Sequence, residues 1–171
     1  MASRRSSLMI RMEISCGNTN KTLIHSGSDV APIKVDHASE TINMAYYKYT
    51  GSTNLMKFDF DGNVLFHEVI RTESDPRASL AGISTLENGA VIVAHSNANY
   101  YDQMYSLQQF DKHGAASWST SLDHHFLRSG LQSDALGHHY CVVDTAYRHD
   151  YESSFQIFQL NQSGNKIGSH A

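Results

Sequence analysis

The chain has 171 residues, 40% hydrophobic and only 18% charged, with a formal net charge of −4 and a pI near 6.2. That length suits one domain with a sizeable core, and the charge balance leaves no basic footprint for nucleic acid. No run reaches the roughly 18 apolar residues of a membrane span, and two cysteines, Cys16 and Cys141, make no disulfide framework.

Residues 1–29 open the chain. Ser3-Arg4-Arg5 followed by Leu8-Met9-Ile10 has the order of a twin-arginine export signal, but Arg11 and Glu13 break the apolar stretch at once. No export signal is expected, and the compartment stays open. Met9 to Ser15 and Lys21 to His25 read as two strands around a turn at Gly17 to Asn20, the second half of a preceding structural unit.

Residues 30–79 hold the first complete unit. Ala31 to Val35 and Thr41 to Ala45 read as strands joined by a turn at Asp36 to Glu40, and a polar loop is expected from Tyr46 to Thr53. A second hairpin follows, Leu55-Met56-Lys57-Phe58, turn Asp59-Phe60-Asp61-Gly62, then Asn63-Val64-Leu65-Phe66. Residues 80–129 repeat the plan. Leu80 to Thr85, the turn Leu86 to Gly89, and Ala90 to Ala94 form one hairpin, and a polar loop is expected from Ser96 to Ser106. Leu107 to Phe110, the turn Asp111 to Gly114, and a strand reaching Trp118 form the next, and a link is expected from Asp123 to Gly130. Residues 130–171 repeat it again. Leu131 to Ala135 lead through Gly137 to Tyr140-Cys141-Val142-Val143, a loop spans Ala146 to Ser154, and Phe158 to Ile167 turn at Asn161 to Gly164.

The hairpin glycines at 62, 114 and 164 fall 52 and then 50 residues apart. In Asp/Asn-x-x-Gly the first side chain caps a tight turn and Gly takes the φ > 0 position. Short apolar runs such as Val91-Ile92-Val93 fit strands buried on both faces. No window of a dozen residues carries sustained helical spacing between capping signals. The expected fold is all-β and β-propeller-like: about three four-stranded antiparallel blades plus a partial N-terminal blade.

Lys57-Phe58-Asp59-Phe60-Asp61-Gly62-Asn63-Val64-Leu65-Phe66 resembles the K-x-D-x-x-G-N-x-x-W element of bacterial repeat-type propellers, the PQQ-like and SBBP-like group. Phe110-Asp111-Lys112-His113-Gly114 through Trp118 resembles it with the Trp in place, and Glu87 to Val93 resembles that group's first-hairpin element. The third unit departs, with Leu160-Asn161 for Phe-Asp and no terminal aromatic. The resemblance implies stacked blades and covers residues 30–171. Three and a half blades do not easily close a ring, so it also implies a fragment of a longer chain or a homodimer completing a ring. Because such folds host enzymes and non-enzymes alike, it implies no activity.

Tyr46, Tyr47 and Tyr49, then Tyr100, Tyr101 and Asp102, then Tyr147, Arg148 and Tyr151 fall in the three expected polar loops. All would project from one end of the blades as a contact face for a protein or carbohydrate ligand. Metal-ligand side-chain types occur at Asp123, His124, His125, His138 and His139, in no established zinc spacing. Asp59 and Asp61 suggest a calcium loop but lack the ligands it needs further on, so a hairpin turn is expected. His25, His67 and His170 recur in successive last strands. No catalytic residue and no cofactor is assigned. The expected function is a non-enzymatic binding or scaffold module; the alternatives are a propeller enzyme, quinoprotein-like or hydrolytic, and a sugar-binding lectin.

Overall fold

The structure, a computed structural model, describes residues 10–16, 19–25, 32–48, 52–72, 80–98, 103–122, 125–144 and 155–170. They contain no helix. Strands β1 (Ile10–Cys16) and β2 (Thr19–His25) pair antiparallel as a two-stranded sheet. The rest form three four-stranded antiparallel sheets, each in simple chain order. The first is β3 (Ile33–Asp36), β4 (Thr41–Lys48), β5 (Ser52–Asp59) and β6 (Val64–Thr72). The second is β7 (Leu80–Thr85), β8 (Val91–Ala98), β9 (Gln103–Phe110) and β10 (Ala116–Leu122). The third is β11 (His125–Ser133), β12 (His139–Asp144), β13 (Phe155–Leu160) and β14 (Lys166–His170). Among the described residues no sheet closes on itself.

The turn chemistry read from the sequence operates at the Asp/Asn-x-x-Gly hairpins. Asp111 Oδ1 accepts from the backbone N–H groups of His113 (2.8 Å) and Ala115 (2.9 Å), and Asn161 Oδ1 does the same for Ser163 and Asn165. The following glycines, Gly114 and Gly164, sit at φ 93° and 77°, a region that L side chains avoid. At Asp59 the carboxylate accepts from the backbone N–H and the side-chain amide of Asn63, so both its oxygens serve the turn.

The sheets pack face to face. Ala45, Leu55 and Phe66 of the first sheet bury against Ile83, Val91, Val93 and Phe110 of the second. The other face of the second sheet, with Ile92, Ala94, Tyr105, Leu107 and Leu122, buries against Leu131, Cys141, Val143, Phe158 and Leu160 of the third. The strand β7 touches β11 on one side and β3 and β4 on the other. Residues two apart along β8 thus enter different cores from those between them, which is why Val91-Ile92-Val93 is apolar throughout.

Two expected connections are shorter than the sequence suggested. Tyr46 and Tyr47 lie in β4, whose ladder with β5 runs on to Lys48 opposite Ser52. Likewise β8 and β9 continue to Ala98 opposite Gln103. Polar composition had marked these stretches as loops, but Tyr and Thr suit pleated strands and the ladder satisfies their backbone. The expected link from Asp123 to Gly130 is also mostly strand, because β11 begins at His125.

Candidate functional site

Between the turn ends of the second and third sheets lies a crevice of about 340 Å³. Leu86, Glu87 and Asn88 form one wall, Asp134 to Gly137 the other, and Gln109, His139 and Gln162 line it as well. His139 opens β12 and is fully buried. Its Nδ1 lies 3.1 Å from Ser133 Oγ, and Ser133 Oγ accepts from Ser84 Oγ of the second sheet at 3.0 Å. Its Nε2 has no hydrogen-bond partner. Burial pushes the imidazole down to about 4 from an ordinary 6.5, so it is neutral at physiological pH.

The wall beside His139 is held by an aromatic clasp. Trp118 lies 5.5 Å from the His139 ring, centroid to centroid, with a tilt of 36°. Its Nε1–H donates to Gln162 O at 2.8 Å, and Thr120 Oγ1 donates to Gly164 O at 2.8 Å. A Cβ built on Gly164 would sit 2.5 Å from Trp118 Cε3, so the indole packs where only glycine leaves room. In the preceding sheet Phe66 has the same role, since a Cβ on Gly114 would meet its ring at 3.0 Å. The terminal aromatic of the repeated hairpin is therefore an inter-sheet contact that clasps the next turn.

The equivalent crevice between the first and second sheets is filled. Lys57 stands two residues before Asp59 as Gln109 stands two before Asp111. Lys57 is 2% exposed, and its Nζ donates to Gly89 O at 2.7 Å across the sheet boundary. Burial lowers its ammonium pKa, and Asp36 opposes that shift. Opposite it across the ladder, Asn43 is fully buried with both amide atoms unpartnered.

Few of the residues singled out by sequence lie within the described residues. Tyr46 stacks on His67 with centroids 6.3 Å apart, its hydroxyl 3.3 Å from His67 Nε2, and His67 Nε2 is also 3.1 Å from Asn54 Oδ1. Burial raises the Tyr46 phenol pKa. Tyr46 is thus part of a sheet face and not of a loop, and Tyr47 is a strand residue. Tyr49, Tyr100, Tyr101, Asp102, Tyr147, Arg148 and Tyr151 lie outside the described residues, as do Asp123 and His124. His125 begins β11, and His138 Nδ1 is 3.1 Å from Asp134 Oδ2, within its own turn. Among the described residues no three His, Cys, Asp or Glu side chains come within reach of one metal ion. Cys141 shares a face of β12 with His139, and burial pushes its thiol up to about 12. Sequence reasoning missed Lys57, Gln109, Ser84 and Ser133. The Lys of the repeated motif and its replacement by Gln109 were the visible signal.

Fold and crevice together define an all-β protein of stacked four-stranded antiparallel sheets with a polar cleft between two of them. No family model and no curated protein matches the chain. Among solved structures it is similar to the trigonal crystal form of a D477G ACO/RPE65 chimera, at a TM-score of 0.54 and 10% identity. The match covers 82% of this chain but only 37% of that one, so this chain spans little more than a third of its neighbour. At that identity the likeness concerns the fold alone. Among the described residues no helix is long and apolar enough to cross a membrane.

Proposed function

We propose that the chain is a non-enzymatic binding or scaffold module of consecutive propeller-type blades, which associates by packing another sheet on the far face of its third sheet. The observation that carries this reading is a repeated position without repeated burial. Leu55, Leu107 and Ile157 stand four residues ahead of the turn residues Asp59, Asp111 and Asn161. The first two are 0% exposed beneath the next sheet, whereas Ile157 is 42% exposed. Phe155 and Ile167 on the same sheet are also half exposed. Covering such side chains contributes on the order of 1 kcal/mol each, and the interface would continue the two already formed.

The chemistry of the crevice also supports binding over catalysis. An imidazole held near 4, as that of His139 is, is a weak base at neutral pH. The tyrosine-bearing segments keep the role of a ligand contact face in this reading.

The test is sedimentation of the purified chain across micromolar concentrations. A mass above the 19.1 kDa monomer is expected, and Ile157→Glu returns it to the monomer with unchanged circular dichroism. A wild-type chain that stays monomeric throughout contradicts association through this face.

A further inference from the structure

We infer that the crevice between the second and third sheets binds a small, neutral, hydroxyl-rich ligand of monosaccharide size, hydrogen-bonded to His139 Nε2 and the Gln109 amide. This inference concerns a different surface from the far face of the third sheet and stands apart from it.

The first support is the proton on His139. Ser84 Oγ gives its hydrogen to Ser133 Oγ, so the Ser133 hydrogen is free to point at His139 Nδ1. A neutral imidazole that accepts at Nδ1 carries its proton on Nε2. Its Nε2, a donor in that tautomer and an acceptor in the other, is a buried polar atom with no partner in the protein. The Trp118 ring does not supply one, because a 36° tilt is far from the edge-on geometry that aims an N–H at an indole face. A buried polar atom left unpaired costs about 1–3 kcal/mol, so a hydroxyl that reaches it, able to donate or accept, relieves a standing penalty.

The second support is the contrast between two equivalent crevices. In the first, Lys57 reaches across to Gly89 O and fills the space. In the second, Gln109 takes that position and makes no such bond, and the space remains open to about 340 Å³. That volume lies at the small end of ligand pockets.

The lining selects the ligand class. Two carboxylates, Glu87 and Asp134, and no Lys or Arg line the crevice, which disfavours an anion. Gln109 and Asn88 offer amides, Glu87 offers an acceptor, and His139 offers an unpartnered ring nitrogen. A hydroxyl both donates and accepts, so adjacent hydroxyls match this alternation. Leu86 and Leu136 supply apolar surface for the C–H faces of a sugar ring.

Trp118 is the only tryptophan in the chain and touches His139, so its emission reports on this place alone. The probes are D-glucose, D-galactose, N-acetyl-D-glucosamine and mannitol, titrated into the wild type and into Gln109→Lys. That variant reproduces the Lys57 arrangement and fills the crevice. At least one probe is expected to give a saturable change in the wild type, with affinity at least about tenfold weaker in Gln109→Lys. If Gln109→Lys loses its circular dichroism, Glu87→Ala on the exposed rim replaces it, with a few-fold weakening expected. No saturable response to any probe means that a trapped water alone satisfies His139, and the inference fails. Equal responses in wild type and variant place the sugar elsewhere, and the inference fails as well.

Discussion

Among the described residues the second sheet is covered on both faces, whereas the third is covered on one. Their sequences differ little in apolar content at matching positions: Tyr105 and Leu107 correspond to Phe155 and Ile157, and Ala94 to Val142. Their burial differs sharply, from 7% and 0% at Tyr105 and Leu107 to 51% and 42% at Phe155 and Ile157. The repeat encodes a sheet with two apolar faces, and stacking decides which faces are protected. A four-stranded sheet alone would leave both faces wet, so stability comes from the stack.

The largest test of that comparison is a pair of truncations. Leu107→Ala empties a fully buried position between two sheets and is expected to cost about 2–5 kcal/mol by urea denaturation. Ile157→Ala removes a comparable side chain from the open face and is expected to cost under about 1 kcal/mol in the monomer. Equal costs would break the comparison.

Acidification comes next. His139 titrates near 6.5 when unfolded and near 4 when folded, so the unfolded chain binds the extra proton between those values. Its contribution is present in full above pH 6.5 and is lost as pH falls toward 4, on the order of 3 kcal/mol. Comparing urea midpoints of wild type and His139→Phe across that range isolates the effect, and the variant's midpoint should be flatter with pH.

Lys57→Met is expected to cost about 1–2 kcal/mol, because Gly89 O loses a charge-assisted bond while the aliphatic stem is retained. Thermal melts measure it. The smallest effect is chemical: Cys141, buried with its thiol held up near 12, should resist iodoacetamide in native buffer and react fully in urea.

Much of the architecture was legible because its signals are local. Asp111 with Gly114 and Asn161 with Gly164 specify their turns within four residues, and Trp118 marks the end of the motif. The connections were less legible. Tyr46, Asn97 and Ser106 look like loop residues by polarity, yet the antiparallel ladder carries them as strand. The site was least legible, because its pieces meet only across a sheet boundary. His139 read only as a metal-ligand side-chain type, since nothing nearby in sequence announces Trp118 above it or Ser84 behind Ser133. Lys57 sat in plain view as a motif residue, but its bond to Gly89 O spans 32 positions.

The stacking of the third sheet on the second is tested most directly by the pKa of the His139 ring, followed by 15N NMR of the imidazole nitrogens against pH. A ring packed against Trp118 and the Ser84–Ser133 pair titrates at about 4. A midpoint at the ordinary 6.5 would mean that the ring is solvated as in bulk water and that the two sheets do not close over it.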